Sequence, residues 1–365
     1  MAIGFFAVKF EFTKVSGKSD LNSGAYNEFY SKEKQSSQKN NDTQNSSSTL
    51  DNLINKIDAQ IKILERVKDN EKDNLCKIKV ISEYSDYNAK TMFDVYKKYS
   101  SKELLDKMIF AFRLKREISD FENKIKECKN TNITEDTLGQ QLSNIQNKNV
   151  FVWQDSEYWK IIGQALLKDQ NKINEVSKLT NIDSRKIVSI VIVEQLRLYY
   201  TQRELFEKIF KPLKILANAN KMAWGIMAIK EKTAIQIEDN LKDKNSPYYL
   251  GKDFENILDF KTSDKTKERY NRLTNEKDHF YSYLYGALYI KQIESQWKSK
   301  GYDISDRPEI FATIFNIGFK NSIPKENPLV GGSSIEILGN KYSFGSLAHE
   351  FYYSGEMEAE FPLQK

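Results

Sequence analysis

Apolar side chains recur every three or four positions at Leu50, Leu53, Ile54, Ile57, Ile61, Leu64 and Val67. That spacing stacks them on one helical face and predicts an amphipathic helix. The same rhythm returns between Ser101 and Glu127, in Leu104, Leu105, Met108, Ile109, Phe112, Ile118, Phe121 and Ile125. Residues 50–130 therefore read as a helical hairpin or short coiled coil, a docking or spacer region to which no chemistry is assigned. Ahead of it, Phe5 to Val15 alternates and is rich in Phe, Val and Lys, which suits one or two short strands with a turn at Gly17. Residues 1–31 are thus expected to form a short β segment. Lys32 to Thr49 holds no apolar residue to bury and predicts a flexible linker over 32–49. Asn130 to Asn149 is again polar and rich in Asn and Gln, marking a second linker at 131–150. From Phe151 onward Trp, Tyr, Phe and β-branched residues become dense, and Pro and Gly gather after Asn245. Residues 151–365 are where a real, mostly helical core is expected.

Length and charge narrow the function classes. A chain of 365 residues has room for two folded units. Its 56 basic and 51 acidic residues leave a net charge of +5, spread along the chain. Such a balance does not demand a polyanion partner, so no nucleic acid is expected. Cys76 and Cys128 form no CxxC pair and read as free thiols of a reducing compartment, or at most one disulfide. With only His279 and His349, a multi-histidine metal centre is impossible and a Ser-His-Asp triad improbable. Chemistry here should use carboxylates, without cofactor or metal. The stretch Ala2 to Val8 lacks a basic flank and a small-residue cleavage site, so no secretory signal peptide is expected. The apolar run Ile187 to Val193 is far too short to span a bilayer.

That run nevertheless carries the candidate chemistry. A helix starting near Ser184 reads Ile187, Val188, Ser189, Ile190, Val191, Ile192, Val193 and then Glu194. Being apolar all round, it should be buried, and a carboxylate at its end is costly to desolvate. Ile187, Ile190 and Val191 share a helical face with Glu194. Those surroundings should raise its pKa and keep it protonated near neutrality, the state a general acid needs. The plainer account is that Glu194 turns to solvent or pairs with Arg197 one turn on.

Two later segments bear on the choice. Ala223-Trp224-Gly225-Ile226-Met227-Ala228-Ile229-Lys230-Glu231-Lys232-Thr233-Ala234 resembles the Gly-Met segment of soluble lytic transglycosylases and goose-type lysozymes. Ala312-Thr313-Ile314-Phe315-Asn316-Ile317-Gly318 is similar to that superfamily's Asn-Gly element, and the order of the three features matches. The resemblance spans about residues 151–365. It implies that Gly225 lets backbone approach a sugar and that Met227 supplies an adaptable apolar wall. Ala228 stands where the family has Gln, Trp224 where it has Ser or Ala, and Phe315 where it has Tyr. Asn316 would offer a donor and an acceptor to an N-acetyl group or to the Glu194 region. Glu350 to Tyr353 fits the spacing of a late E-x-x-Y helix, which makes Tyr353 a sugar-binding candidate; a packed aromatic helix is the plainer account.

The expected architecture is mainly α: a lysozyme-like helical domain preceded by a helical hairpin or coiled-coil region and a short N-terminal β segment. By resemblance it would cleave peptidoglycan glycan strands between N-acetylmuramic acid and N-acetylglucosamine, with Glu194 as catalytic acid/base and Gly225, Met227, Ala228, Asn316 and Tyr353 at the substrate. Such a protein would be made in the cytoplasm and reach the wall by a route other than Sec. Residues 1–130 would then dock a secretion, phage or toxin-delivery component. The alternative is a non-catalytic lysozyme-fold binding or scaffolding protein. Met1-Ala2-Ile3, Ser16-Gly17-Lys18-Ser19 and Ala25-Tyr26-Asn27 are also similar to the opening of mobilisation relaxases, but those enzymes need a histidine-rich metal site that this chain cannot build.

Overall fold

The computed structural model describes residues 20, 22–38, 71–147, 149–201 and 225–364. The strands expected within Phe5–Val15, the helix expected over Leu50–Val67 and most of the 32–49 linker lie outside those residues. The described part is mainly helical, with one two-stranded sheet. No described helix is long and apolar enough to cross a membrane. The chain divides into two compact units, a smaller one of Ala25–Phe151 with Tyr353–Gly355, and a larger one built chiefly from Val152–Tyr352 and Glu356–Gln364.

The smaller unit corrects two expectations and decides a third. Ser23–Gln38 is a helix, α1, where residues 23–31 were expected in a β segment and 32–38 in a flexible linker. Its order comes from an aromatic face: Tyr26 and Tyr30 are buried one turn apart, and Phe29 stacks on Phe110 at 4.2 Å. The helix α2 (71–82) is followed by α3 (Asp86–Tyr99), α4 (Lys102–Lys115) and α5 (Phe121–Lys129). Ser85 and Ser101 cap α3 and α4 by accepting from the backbone N–H three residues on. Cys76 on α2 and Cys128 on α5 are joined in a buried disulfide, with Cα atoms 5.6 Å apart, the second of the two states the sequence left open. Finally, the expected 131–150 linker holds α6 (Glu135–Gln141), started by a Thr134–Thr137 capping box and anchored by fully buried Leu138. The Asp86 carboxylate accepts from the N–H groups of Gln146 and Asn147, so the polar composition there serves backbone anchoring.

In the larger unit α7 (Glu157–Thr180) starts on Ser156 and ends at Asn181 in the left-handed conformation, with φ of 52°. It packs along α8 (Ser184–Thr201), whose Ile187, Val188, Ile190, Val191, Ile192 and Val193 are all buried. Downstream come α9 (Glu231–Lys242), α10 (Lys265–Leu273) and α11 (Phe280–Ser299). Buried on nearly every face, α11 touches α7, α8, α9 and α10 as well as α12 (Pro308–Ile317), and is the hub of the unit. An antiparallel hairpin, β1 (Ser334–Ile337) and β2 (Asn340–Ser343), pairs Ile335 with Tyr342 and lays β1 on α8. The chain then enters α13 (Phe344–Tyr353).

One long-range clamp fixes the start of α8. Arg185 is completely buried and donates from Nε to the Tyr352 carbonyl at 2.7 Å, from one terminal nitrogen to Phe361 at 2.9 Å, and from the other to Phe351 at 3.1 Å. Two of those carbonyls belong to the end of α13, where the helix dipole favours a cation. Asp183, beside it, accepts from the Tyr352 hydroxyl at 2.6 Å.

Candidate functional site

Glu194 lies three turns into α8 and is 4% exposed. Arg197 donates to its Oε2 from Nε at 2.9 Å and from a terminal nitrogen at 2.6 Å. Neither contact uses Oε1. Burial pushes the carboxyl pKa up, and the positive charges of Arg197 and Lys230 oppose that rise without cancelling it. Glu194 therefore combines both sequence-based readings: it sits in apolar surroundings, and it pairs with Arg197 one turn on.

The residue after it supplies a link that the sequence did not single out. Gln195 is 1% exposed and donates from Nε2 to the Ile226 carbonyl at 2.9 Å. Its Oε1 has no hydrogen-bond partner among the described residues. The bond ties α8 directly to the turn Gly225–Ala228, which is closed by the Ala228 N–H on the Gly225 carbonyl at 3.0 Å. On the other side Ser282 of α11 accepts from the Met227 N–H at 3.3 Å. Lys230 follows this turn, which accounts for the reach of its charge to Glu194.

Within that turn the structural roles differ from those implied by the resemblance. Gly225 has φ of +74°, and a Cβ there would lie 2.2 Å from the Leu273 carbonyl oxygen and 2.4 Å from Ser282 Oγ. The close approach permitted by the missing side chain is to the protein's own α10 and α11, where approach to a sugar was expected. Met227 is fully buried, its side chain filling the space over Gly286 of α11. It packs the core in place of forming an open apolar wall. Ala228 is part-exposed and holds the left-handed conformation at φ of 50°.

Asn316 lies near the end of α12, and its Oδ1 accepts from the Ser333 N–H at 2.9 Å and hydroxyl at 3.0 Å. It thereby fixes the chain just ahead of β1, the strand that packs on α8. Tyr353 closes α13, is 2% exposed and groups with the smaller unit. Tyr26 is buried in α1, edge-on to Phe110 at 5.5 Å. Of the two histidines, His279 pairs with Asp169 through Nδ1 at 2.5 Å.

A second buried carboxyl escaped the sequence reading. Glu309, in the first turn of α12, is fully buried, accepts from Arg307 Nε at 2.8 Å through Oε1, and leaves Oε2 without a partner among the described residues. Burial pushes its pKa up, against the opposing charge of Arg307. Only its place beside Pro308 at a helix start marked it in the sequence. No protein-family model, curated protein or solved structure matches the chain.

Proposed function

We propose that the larger unit is a lysozyme-like domain that cleaves the β-1,4 bond between N-acetylmuramic acid and N-acetylglucosamine in peptidoglycan, with Glu194 as its single acid/base. The observation that carries this reading is a carboxyl on a buried apolar helix whose pKa is pushed up by burial, and whose Oε1 is not used by Arg197. The Gly225–Ala228 turn bonded to the next residue on α8 supports it, since the resemblance calls for those two segments side by side.

In the proposed reaction, protonated Glu194 gives its proton to the glycosidic oxygen as the bond from that oxygen to the muramyl C1 breaks. Both electrons of that bond leave with the oxygen of N-acetylglucosamine. Positive charge at C1 is supported by the substrate's own N-acetyl group. The muramyl 6-hydroxyl oxygen then bonds to C1, and its proton returns to the Glu194 carboxylate. The product is a 1,6-anhydro sugar, and the carboxyl is reset without a second protein carboxylate, unlike most glycosidases. Goose-type relatives admit water at the second step. Glu309 has no part in this scheme. Glu194→Gln is expected to lower the release of soluble fragments from purified peptidoglycan by roughly 10²–10⁴-fold, the usual worth of a general acid, while Glu309→Gln in a folded chain retains it. Release undiminished in Glu194→Gln refutes the assignment.

A second reading has one observation in its favour. The Arg197 pairing gives Glu194 a structural partner of the kind that an inert buried carboxylate needs. A non-catalytic glycan-binding or scaffolding protein would bind peptidoglycan, release nothing, and bind equally well as Glu194→Gln. For delivery we favour a route outside the Sec pathway with residues 1–130 as the docking region. The Cys76–Cys128 disulfide fits final residence in an oxidising compartment.

A further inference from the structure

The Cys76–Cys128 bond has no part in the proposed reaction, yet within the smaller unit the fate of one helix depends on it. That helix, α5, is nine residues long, too short to persist by itself in water. Its start is poor, because Asp120 takes the left-handed conformation at φ of 57° and its side chain caps no backbone N–H. Beside Cys128, the side chains it buries are Phe121 and Ile125. Two ion pairs flank the bond, Lys124 with Glu83 and Lys129 with Asp73, each at 2.6 Å. Both pairs reach solvent, where such contacts contribute little. Among the described residues, the disulfide is therefore the strongest tie between α5 and α2.

The elements on either side are anchored without it. Helix α4 buries Leu105, Met108 and Phe112, and Ile118 is buried ahead of α5. Behind α5, helix α6 buries Leu138 and sets Gly139 against α3, where an added Cβ would stand 3.4 Å from the Phe93 ring. The N–H groups of Gln146 and Asn147 are held on the Asp86 carboxylate at the start of α3. An opening at α5 is thus bounded by packed chain on both sides, the condition for local rather than global unfolding.

The geometry points to a redox latch: reduction of the Cys76–Cys128 bond loosens α5 from α2 and leaves the rest of the smaller unit folded. The step is a thiol–disulfide exchange with a dithiol reductant. One thiolate of the reductant bonds to the Cys128 sulfur, and the Cys76 sulfur leaves as a thiolate and takes up a proton. The second thiol of the reductant then displaces Cys128, which is protonated in turn. Two electrons and two protons have passed to the protein, and the reductant ends as a disulfide. Cys128 is the end open to attack, being 6% exposed on the outer helix while Cys76 is fully buried. The bond joins positions 52 apart, but with α2 and α4 folded the stretch it closes is only 116–128. Closing a loop of roughly 15 residues shifts an open-to-closed ratio by about 100-fold. In a reducing compartment α5 therefore opens about a hundred times as often as in an oxidising one.

The test is hydrogen–deuterium exchange, read by mass spectrometry, on the oxidised full chain and on the same chain after dithiothreitol. Alkylation of parallel samples reports the state of the two thiols. After reduction, amides of 122–129 should exchange about 100-fold faster, those of 86–115 and 135–142 should keep their rates, and reoxidation should restore slow exchange. The double variant Cys76→Ala/Cys128→Ala should show fast exchange in α5 with or without dithiothreitol. Thiols that alkylate before reduction, or a bond that dithiothreitol leaves intact in the native chain, would overturn the inference. So would unchanged α5 rates in the reduced chain or in the double variant, or acceleration that spreads through α3 and α4.

Discussion

Replacing Gly225 by Ala separates a structural role for this glycine from a ligand-facing one. The residue holds φ of +74°, a region that costs an L side chain roughly 1–2 kcal/mol. The added Cβ would also stand 2.2 Å from the Leu273 carbonyl oxygen and 2.4 Å from Ser282 Oγ. Leu273 contributes backbone, so it cannot swing aside, and Ser282 is engaged with the Met227 N–H. Overpacking of this kind typically adds about 1–3 kcal/mol. The two effects together predict that Gly225→Ala destabilises the larger unit by about 2–5 kcal/mol, read as a lower urea midpoint at unchanged slope. A glycine kept open for a sugar would instead show only the backbone cost of roughly 1–2 kcal/mol, with no overpacking added, and would weaken glycan binding. A midpoint within ~0.5 kcal/mol of the parent's would refute the account of this turn.

Three further outcomes follow from the contacts. Arg185→Met removes three buried charge-assisted bonds and strands the carbonyls of Phe351, Tyr352 and Phe361, so it should cost about 3–5 kcal/mol in chemical unfolding. Gln195→Leu leaves the Ile226 carbonyl unpaired and should cost about 1–3 kcal/mol. It should also loosen the turn that brings Lys230 toward Glu194, which nuclear magnetic resonance titration of that carboxyl would register as a further upward shift. Burial acts against ionisation of Glu268, but hydrogen bonds from the Lys261 and Thr262 N–H groups and the Thr262 hydroxyl, with the Arg272 charge, hold its pKa down to about 2. Its folded value lies below the ordinary one of 4.5, so its contribution is present above 4.5 and is lost as pH falls toward 2. Acid unfolding curves should show that loss, and Glu268→Gln should lack it.

Much of the larger unit was legible because burial leaves a local trace. The all-apolar run before Glu194 announced a buried helix, and it is one. Gly225 stood out as a backbone position of special need, but the groups it makes room for, Leu273 and Ser282, lie some fifty residues on and have no local signature. Arg185 is the clearest case: its partners are 166 to 176 positions away, and a lone arginine at a helix start reads as solvated. The same limit hid Gln195, whose partner at Ile226 comes through the fold, and left the joining of Cys76 to Cys128 as one of two open states. In the smaller unit the misreadings came from polar composition. Two buried tyrosines carry α1, and one buried leucine with a threonine capping box carries α6, too few apolar residues for periodicity to register against their polar neighbours.

The central claim is that Glu194 transfers a proton to and from a peptidoglycan sugar. Mass spectrometry of the fragments released from purified peptidoglycan by the parent chain and by Glu194→Gln tests it most directly. The account predicts 1,6-anhydromuramyl ends, lighter by one water than hydrolysis products, from the parent chain and essentially none from the variant. No fragments from the parent chain, or the same yield of fragments from both, would contradict it.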